Sequence, residues 1–365
     1  MTNNDRKHLY SLSSIIGGND MSTNPFSTMF GKEPNLTIHR DDLFSEIVTD
    51  FENDNPSSQL YIITGARGSG KTVLLSEFYD YFDKQEDWIS IDVNPHRNIL
   101  EDIASALYEK GKMKKLFLKG TFDISFHGLT FRIEGKEPVT SIVSVVERML
   151  THLKNQNKKL IITLDEVTTS ENVKEFAHDF QSFIRKNYPI YLLMTGIYEN
   201  VMSLQNDRSI TFLYRAPKIL LEPLNLFAIQ KSYMNTFNID IETAAKLTNL
   251  TKGYGFGYQL LGHLYFDHNI IDEKLLDDYD ESLRKNAYDK IYSSISESEL
   301  KILKTLVSDE PKKTADILNE TGYNNSTYSK LRERLINKGL VIAPRNGFLT
   351  LALPRFSNFL LDQEI

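Results

Sequence analysis

Short apolar runs alternate with amphipathic stretches over the first 225 residues of the chain. The runs 60–64, 88–93 and 159–166 are too short for helices and are typical of buried parallel strands. Two more runs, 190–196 and 219–224, predict further strands. The stretches between the runs predict helices. One begins at Lys71, and the others cover about 95–112, 139–156, 171–186 and 199–204. This alternation predicts an α/β fold with a parallel sheet.

The N-terminal 24 residues are rich in Asn, Ser, Asp and Gly, and this composition predicts a flexible segment. A helix is predicted after it, with Asp41 or Asp42 as its cap. Leu43, Ile47 and Phe51 would lie on one face of that helix. Residues 25–224 are therefore the predicted α/β domain.

Residues 116–136 interrupt the alternation of strand and helix. Apolar residues recur at every second position on either side of a His-Gly pair, which predicts a β-hairpin inserted into the α/β domain. The residues concerned are Phe122, Ile124, Phe126, His127, Gly128, Leu129, Phe131 and Ile133. The aromatic positions could bind a partner, but packing of one apolar face on the core is the favoured interpretation, because half-buried strands alternate in this way.

Strand patterns stop at about residue 225. Four amphipathic stretches in 225–292 predict a small all-helical domain. Residues 293–365 predict three helices followed by two short apolar strands that flank Asn346 and Gly347, a favoured two-residue hairpin turn. Three helices and a hairpin predict a winged-helix domain, a variant of helix-turn-helix.

Composition narrows the possible functions. The chain has 365 residues, a length that suits two or three domains. It has no cysteine, so disulfides, zinc–thiolate sites, iron–sulfur clusters and cysteine nucleophiles are excluded. The formal charge of −7 excludes a wholly basic polyanion binder, so any contact with nucleic acid must be local. No apolar run suits a membrane helix or a signal peptide, so we expect a cytoplasmic protein.

One motif predicts a nucleotide-binding loop. Residues 65–72 match G-x-x-x-x-G-K-[ST] in full, between a predicted strand and a predicted helix. Backbone N–H groups of such a loop surround phosphate oxygens, Lys71 would reach the β- and γ-phosphates, and Thr72 would bind Mg²⁺. The predicted nucleotide-binding residues here are Gly65, Ala66, Arg67, Gly68, Ser69, Gly70, Lys71, Thr72 and Val73.

A second motif ends the apolar run 159–166 with two carboxylates, Asp165 and Glu166. In combination with the phosphate-binding loop, Asp165 is expected to help hold Mg²⁺. Glu166 is the predicted general base that polarises the attacking water. Other chemistry lacks support, because the eight histidines show no metal-ligand spacing and no nucleophile or dinucleotide motif occurs.

The order of these features resembles the AAA+ ATPase superfamily over residues 25–365. The phosphate-binding loop, the strand ending in Asp-Glu, a polar residue ending the next strand, a helical lid and a C-terminal winged helix follow one another as in that superfamily. Within it, the chain is most similar to initiator-type (origin-recognition-like) ATPases and to related archaeal-type and bacterial ATPases. The resemblance implies an ATP hydrolase that uses Mg²⁺ and works as a conformational switch.

The resemblance also implies roles for particular residues. Ile38, His39 and Arg40 would lie beside the adenine, and Thr195 would contact the γ-phosphate or its water. An arginine finger supplied to a neighbouring copy would be Arg215 or Arg208, with Arg215 preferred, and would imply self-association. The lid segment GYGFGYQLLGHL lacks the Arg or Lys that the superfamily usually places there, and Lys252 is a poor match, so we expect slow turnover.

The third helix of the winged-helix domain, about 326–338, is the predicted DNA-recognition helix. Its apolar face would be Tyr328, Leu331 and Leu335, and the remaining arc contains Ser329, Lys330, Arg332 and Arg334. Arg345 at the wing turn could add a backbone contact. Residues 293–365 hold ten Lys or Arg and nine Asp or Glu, so this domain is more basic than the rest of the chain.

The favoured function is therefore a DNA-associated, ATP-driven switch that binds double-stranded DNA through Ser329, Lys330, Arg332, Arg334 and Arg345. The alternative is a signalling or defence switch whose winged helix makes protein contacts or holds the ATPase inactive. A third alternative is a nucleotide-stabilised scaffold with negligible hydrolysis.

Overall fold

The structure of the chain is a computed structural model that describes residues 23–29, 34–110, 141–308 and 310–363. Of the segment 111–140, it describes the backbone of Ile124–Phe126 and Leu129–Phe131. In chain order, the strands are β1 (Leu60–Thr64), β2 (Trp88–Val93), β3 (Ile124–Phe126), β4 (Leu129–Phe131), β5 (Lys159–Leu164), β6 (Ile190–Gly196), β7 (Lys218–Leu220), β8 (Lys312–Lys313), β9 (Val341–Ile342) and β10 (Phe348–Leu351).

The helices follow the sequence pattern with a few differences in their ends. They are α1 (Asp41–Glu52), α2 (Lys71–Asp83), α3 (Ile99–Glu109), α4 (Ile142–Asn155), α5 (Glu171–Arg185), α6 (Tyr198–Gln205), α7 (Leu226–Phe237), α8 (Ile241–Thr251), α9 (Gly255–His268), α10 (Glu273–Leu283), α11 (Asp289–Tyr292), α12 (Glu297–Lys304), α13 (Thr314–Thr321), α14 (Asn325–Asn337) and α15 (Phe356–Asp362). Along these described stretches, no helix is both long enough and apolar enough to cross a membrane.

The predicted α/β fold is confirmed by a five-stranded parallel sheet with the order β2-β5-β6-β1-β7. Every residue of β1 and β6 is buried, because these strands lie inside the sheet and have helices on both faces. The edge strand β7 is shorter than the predicted run 219–224. This order places β6 between β1 and β5, so the carboxyl ends of all three lie together.

Each face of the sheet has its own hydrophobic core. On one face, α1 and α2 pack through residues such as Phe51 and Phe78. This core contains Trp88, whose ring centroid lies 4.2 Å from that of Phe82 and 4.9 Å from that of Tyr191. The opposite face is covered by α3, α4 and α5. The sheet is therefore a rigid base for the residues at the ends of its strands.

Two predicted helix starts are wrong. Arg40 is the N-cap of α1, and no side chain accepts a capping hydrogen bond there. Asp41 and Asp42 instead lie in the first turn, where their charge favours the helix dipole. The helix predicted from residue 95 begins at Ile99, because the Asn98 side chain caps it by accepting from the Glu101 N–H.

The backbone of β3 and β4 forms an antiparallel pair, with Phe126 opposite Leu129, within the segment predicted as a hairpin. The predicted turn residues His127 and Gly128, together with Phe122 and Ile133, lie outside the described residues.

The C-terminal part contains the predicted helices and both hairpin strands, and an additional strand, β8, pairs with β10. Asn346 and Gly347 are the central residues of a turn that the Phe348 N–H closes on the Arg345 carbonyl, and Gly347 has φ +76°. The predicted two-residue hairpin is wrong, because Ile342 pairs with Thr350 and the connecting loop is longer. Classification of this domain as a winged helix stays a prediction.

The lid (α7 to α11) and the C-terminal domain (residues 293–363) share one hydrophobic core. The stretch predicted as one helix over 272–291 is α10, a π-helical turn at Arg284–Tyr288, and α11. Tyr288 of this turn packs edge-on against Phe356 of α15, a helix that the sequence did not predict. The shared core makes the lid and the C-terminal domain one packing unit.

Candidate nucleotide-binding site

The candidate site lies where the carboxyl ends of β1, β5 and β6 meet. The loop 65–70 connects β1 to the N-terminus of α2. Gly68 (φ +76°) and Gly70 (φ +93°) have left-handed conformations that L-residues rarely adopt. At Gly68 space is limiting too, since a Cβ atom would lie 2.9 Å from Phe256 Cβ and still closer to the Tyr254 hydroxyl. The lid therefore contacts the loop at a position that requires glycine.

The loop fits a phosphate group. The N-terminus of α2 has no side-chain cap, so its first N–H groups are available to an anion. Among the described residues, the buried Oγ of Ser69 has no hydrogen-bond partner. Unpaired donors at the start of a 13-residue helix are the groups that bind phosphate in nucleotide-binding loops.

Lys71 is 8 % exposed and lies at the base of the loop. Its Nζ donates hydrogen bonds to the carbonyl oxygens of Gly65 (3.1 Å) and Ala66 (2.9 Å). Burial lowers the pKa of Lys71 to about 8, against the opposing effect of the carboxylates of Asp165 and Glu166. A proton on this amine is therefore sensitive to any negative charge that enters the loop.

Asp165 connects the end of β5 to the end of β6 and to the start of α2. Its Oδ2 accepts a hydrogen bond of 2.7 Å from the Thr72 hydroxyl, and its Oδ1 accepts one from the Thr195 hydroxyl. Thr195 is the buried polar residue near the end of β6, so it fixes the Asp165 carboxylate. The structure thus brings together the two predicted Mg²⁺ ligands and the predicted sensor residue.

Glu166 has φ +52°, an uncommon conformation for a residue other than glycine. Its N–H donates to Asp165 Oδ1 (2.9 Å) and to Thr195 Oγ1 (3.2 Å), and these bonds hold the bend. Glu166 lines the cavity together with residues of the loop. A strained backbone at a carboxylate is typical of functional positions.

A cavity of about 350 Å³ extends from Asp165 and Glu166 along the loop to the segment that precedes α1. Its other lining residues include Ser27, Thr28, Met29, Pro34, Thr37, Ile38, Leu224, Tyr258 and Gln259. Gln259 of the lid is bonded to two parts of the segment that precedes α1, since its side chain accepts from the Ser27 N–H (3.1 Å) and donates to the Leu36 carbonyl (2.5 Å). A cavity of about 350 Å³ lies within the size range of small-molecule binding sites.

The predicted adenine-binding residues have different positions. Ile38 and Arg40 line the cavity, whereas His39 is not among its lining residues and its Nδ1 lies 2.7 Å from Glu77 Oε1. The Arg40 guanidinium donates to the carbonyl oxygens of Ser69 (3.1 Å) and Glu222 (2.6 Å), and burial lowers its pKa. Arg40 therefore supports the phosphate-binding loop from the segment preceding α1.

Two lid contacts were missed by sequence reasoning. The Tyr254 hydroxyl donates to the Arg67 carbonyl (2.6 Å), and the Phe256 N–H donates to the Gly68 carbonyl (2.8 Å). Burial of Tyr254 raises the pKa of its hydroxyl, so it remains a donor. Within the described ranges, no Arg or Lys of the lid lines the cavity. The lid instead contacts the loop through backbone and a tyrosine.

The two arginine-finger candidates do not line the cavity of their own chain. Arg208 is exposed in the loop after α6, and Arg215 is exposed at the end of a 3₁₀ turn, Thr211–Arg215, before β7. Their assignment to a neighbouring copy stays a prediction.

Tyr328, Leu331 and Leu335 are buried, as predicted for the core face of α14. Of the predicted DNA-contacting residues, Ser329, Lys330, Arg334 and Arg345 are exposed and Arg332 is half-buried. Arg334 Nε lies 3.6 Å from the buried Glu299 Oε1, and the Arg345 guanidinium stacks 3.8 Å from the centroid of the Phe348 ring.

Comparisons with known proteins agree with this geometry. Residues 44–195 match the family described as the KAP family P-loop domain, and residues 285–360 match a domain of unknown function (DUF8462). No curated protein sequence matches the chain.

Two solved structures are similar in fold. The Walker-type ATPase of Pyrococcus abyssi is 17% identical, with a TM-score of 0.58, over 89% of this chain and 96% of that chain. The ORC2 protein of Aeropyrum pernix, solved as ADPNP–ADP complexes, is 14% identical, with a TM-score of 0.53, over 92% of this chain and 95% of that chain. Residues 44–195 are thus similar in sequence to a P-loop domain, and the resemblance to origin-recognition-like ATPases is confirmed at the level of fold.

Proposed function

We propose that this chain binds ATP with Mg²⁺ between the α/β domain and the lid, hydrolyses it to ADP and phosphate, and changes conformation with its nucleotide. The observation that supports this most strongly is the position of Asp165 between the hydroxyls of Thr72 and Thr195, beside Glu166. These four side chains come from α2 and from the ends of β5 and β6, and they meet at the phosphate-binding loop.

The residues present fit Mg²⁺. The Thr72 hydroxyl and the Asp165 carboxylate are oxygen donors 2.7 Å apart, and Mg²⁺ prefers oxygen ligands. The described residues contain no cluster of three or more acidic or histidine side chains that could hold a metal alone. A site with one carboxylate and one hydroxyl suits an ion that also binds nucleotide phosphates and water. Bound Mg²⁺ would neutralise charge that develops on the phosphates.

The remaining chemistry belongs to residues of the chain. Lys71 and the N–H groups at the start of α2 bind and orient the phosphates. Glu166 accepts a proton from the water that attacks the γ-phosphate. The Thr195 hydroxyl holds the Asp165 carboxylate in position through a hydrogen bond. Phosphoryl transfer depends mainly on positioning and charge neutralisation, which these groups supply.

The lid contacts suggest how bound nucleotide would change the conformation of the protein. Tyr254 and Phe256 bind the carbonyl oxygens of the loop directly, so any movement of the loop around phosphate is transmitted to α9. Because no lid cation lines the described cavity, stabilisation of the γ-phosphate from the lid side is weak and turnover should be slow.

Phosphate release and nucleotide binding test this function together. Wild type should release phosphate from ATP only with Mg²⁺, and Glu166→Gln should bind ATP while its turnover falls by about 100-fold or more. Glu171→Gln is the matched control, because Glu171 begins α5 and does not line the cavity. Equal phosphate release by wild type and Glu166→Gln would reject hydrolysis at this site and favour a nucleotide-stabilised scaffold.

DNA association is a second part of the proposal. Ser329, Lys330 and Arg345 of the C-terminal domain are exposed, as residues that contact duplex DNA must be. Fluorescence anisotropy of labelled duplex with Glu166→Gln, in ATP and in ADP over a salt series, tests it. Binding in ATP that weakens in ADP and with salt supports the DNA switch. Absence of binding at low salt in both states favours the alternative, a signalling or defence switch with a protein-facing C-terminal domain.

A further inference from the structure

The C-terminal domain contacts the nucleotide-binding domain through a buried lysine. Lys338, directly after α14, is 7 % exposed. Its Nζ lies 2.8 Å from Glu199 Oε1 of the α/β domain and 2.9 Å from Glu299 Oε2 of its own domain. It also donates a hydrogen bond of 3.2 Å to the Ser294 carbonyl. The ammonium thus has partners on both sides of a domain boundary.

The next residue contacts the phosphate-binding loop. Gly339 has φ +71°, and a Cβ atom at this position would lie 3.1 Å from both the Cβ and the backbone nitrogen of Ala66. Such a distance is shorter than ordinary van der Waals contact. The end of α14 is therefore packed against the loop that would bind phosphate, and a side chain at Gly339 would have to push Ala66 away by a few tenths of an ångström.

Glu199 lies at a sensitive place in the α/β domain. It belongs to α6, which begins directly after β6, the strand that contains Thr195. Its neighbours Ile197 and Asn200 line the nucleotide cavity. An ion pair to Glu199 therefore holds one part of the cavity lining, while Gly339 packs against the phosphate-binding loop at Ala66.

We propose that Lys338 is a positioning residue: through Glu199 it fixes the cavity wall, and the docked C-terminal domain thereby slows release of bound nucleotide. This inference rests on the proposed nucleotide binding and adds its regulation. Undocking of the C-terminal domain would then weaken nucleotide binding, and loss of nucleotide would favour undocking, because coupling between two binding equilibria is reciprocal. A partner that binds the C-terminal domain in its undocked state would accelerate nucleotide exchange.

The clean variant is Glu199→Gln. It removes the charge partner in the α/β domain, while Lys338 keeps Glu299 and the Ser294 carbonyl and its own domain stays intact. Changing Lys338 itself would leave Glu299, which is fully buried, without its lysine and could unfold the domain. Glu171→Gln is again the matched control, because it removes a carboxylate from an exposed ion pair with Lys174.

Two readouts are needed. The first is the dissociation rate of a fluorescent ADP analogue from the full chain, displaced by excess ADP. The second is energy transfer between dyes at Lys84→Cys and Asn346→Cys, exposed positions in the two domains, measured without nucleotide. The chain has no native cysteine, so both dyes attach only where intended.

Glu199→Gln should raise the dissociation rate about fivefold or more and lower the transfer efficiency, since couplings of this kind span about 5- to 150-fold. Gly339→Ala should change both readouts in the same direction, because its Cβ would separate α14 from Ala66. Glu171→Gln should match wild type in both.

Unchanged dissociation and transfer in Glu199→Gln would overturn the proposal. A change in only one readout would overturn it too, because docking and release would then be independent. Failure of wild type to bind the ADP analogue would contradict the proposed ATPase itself. The transfer measurement needs no nucleotide, so it tests the interdomain contact in that case as well.

Discussion

The nucleotide site and helix α14 of the C-terminal domain were both predicted from residue type and spacing. The side-chain contacts at the nucleotide site follow from that spacing, whereas several contacts of α14 do not. At the nucleotide site, Lys71 and Thr72 lie in the loop and helix that the motif predicts, and Asp165 meets Thr72 at 2.7 Å. Along α14, the apolar face is as predicted, but Arg334 lies near Glu299, and Lys338, directly after the helix, contacts Glu199 across a domain boundary.

The difference has a physical origin. A phosphate-binding loop uses backbone groups that are neighbours in sequence, so its geometry follows once a strand and a helix flank it. A recognition surface depends on which side chains remain exposed after domains dock, and docking contacts join residues far apart in the sequence. Predictions for the nucleotide site therefore concern chemistry, whereas predictions for α14 depend on the docked arrangement.

The sharpest contrast should come from Asp165→Asn. Loss of this charge removes an expected Mg²⁺ ligand and should lower the rate of phosphate release by about 100-fold or more. Asp92→Asn is the matched control. Asp92 lies near the carboxyl end of β2, its carboxylate accepts a hydrogen bond from the Thr163 hydroxyl, and it does not line the cavity. If phosphate release fell by a comparable factor in both variants, the loss would reflect a general effect of removing a carboxylate from this edge of the sheet on folding, and not a specific role of Asp165.

Two glycines with similar backbone conformations compare the regions directly. Gly68→Ala places a Cβ against Tyr254 and Phe256, so the affinity for ATP should fall by about tenfold or more, because an overpacked contact costs about 1–3 kcal/mol. At Gly322 (φ +68°) of the C-terminal domain, no described atom lies within 4 Å of such a Cβ.

Gly322→Ala should therefore cost only backbone strain, about 1 kcal/mol of unfolding free energy, and leave the affinity for ATP unchanged. Isothermal titration with ATP and denaturant unfolding of both variants measure the two effects. Equal affinities for ATP would contradict the importance of the Gly68–lid contact.

The lowered pKa of Lys71 predicts a proton linkage. With a pKa of about 8, its amine is partly neutral at pH 8.5, and phosphate would favour the charged form. Nucleotide binding at that pH should therefore take up a fraction of a proton, and affinity should fall as the pH rises through about 8.

Calorimetry in two buffers of different ionisation enthalpy measures this uptake. Lys71→Arg is the control, because an arginine stays charged throughout this range and should show no uptake. The same uptake in Lys71→Arg would assign the proton to another group.

The smallest expected effect concerns α14. If duplex DNA binds there, Lys330→Ala should reduce the dependence of log affinity on log salt by about one unit, the amount expected for a single phosphate contact. Lys301→Ala is a suitable control from the same domain. Lys301 belongs to α12, not α14, and its ammonium lies over the ring of Tyr323. An unchanged slope in Lys330→Ala would remove α14 from the DNA-binding surface.

The sequence predicted the strands of the sheet well, because β1, β5 and β6 are short apolar runs that only a buried parallel strand explains. It missed β8, whose two lysines have no apolar alternation, and α15, which follows Pro354. It also missed Tyr254, because a tyrosine that bonds a loop carbonyl belongs to no motif. These features depend on tertiary contacts.

The shared core of the lid and the C-terminal domain limits one experiment. Deletion from Ser293 is the direct test of whether the C-terminal domain restrains turnover. The deletion would remove Phe356 and the Pro354 carbonyl, which contact Tyr288 of the lid, and would expose apolar lid surface. Point changes at the docking contact, such as Glu199→Gln, avoid this damage.

Trp88 is the only tryptophan of the chain and lies within one core of the sheet, with the Lys159 ammonium 5.1 Å from its ring centroid. Its fluorescence therefore reports the α/β domain and is insensitive to the lid and the C-terminal domain. Circular dichroism in the far ultraviolet, by contrast, detects helices in all three. If the lid and C-terminal domain melt together before the sheet, the dichroism will change at a temperature where tryptophan emission is still native. One buried indole thus gives the chain an internal reporter that separates the unfolding of its two packing units without any label.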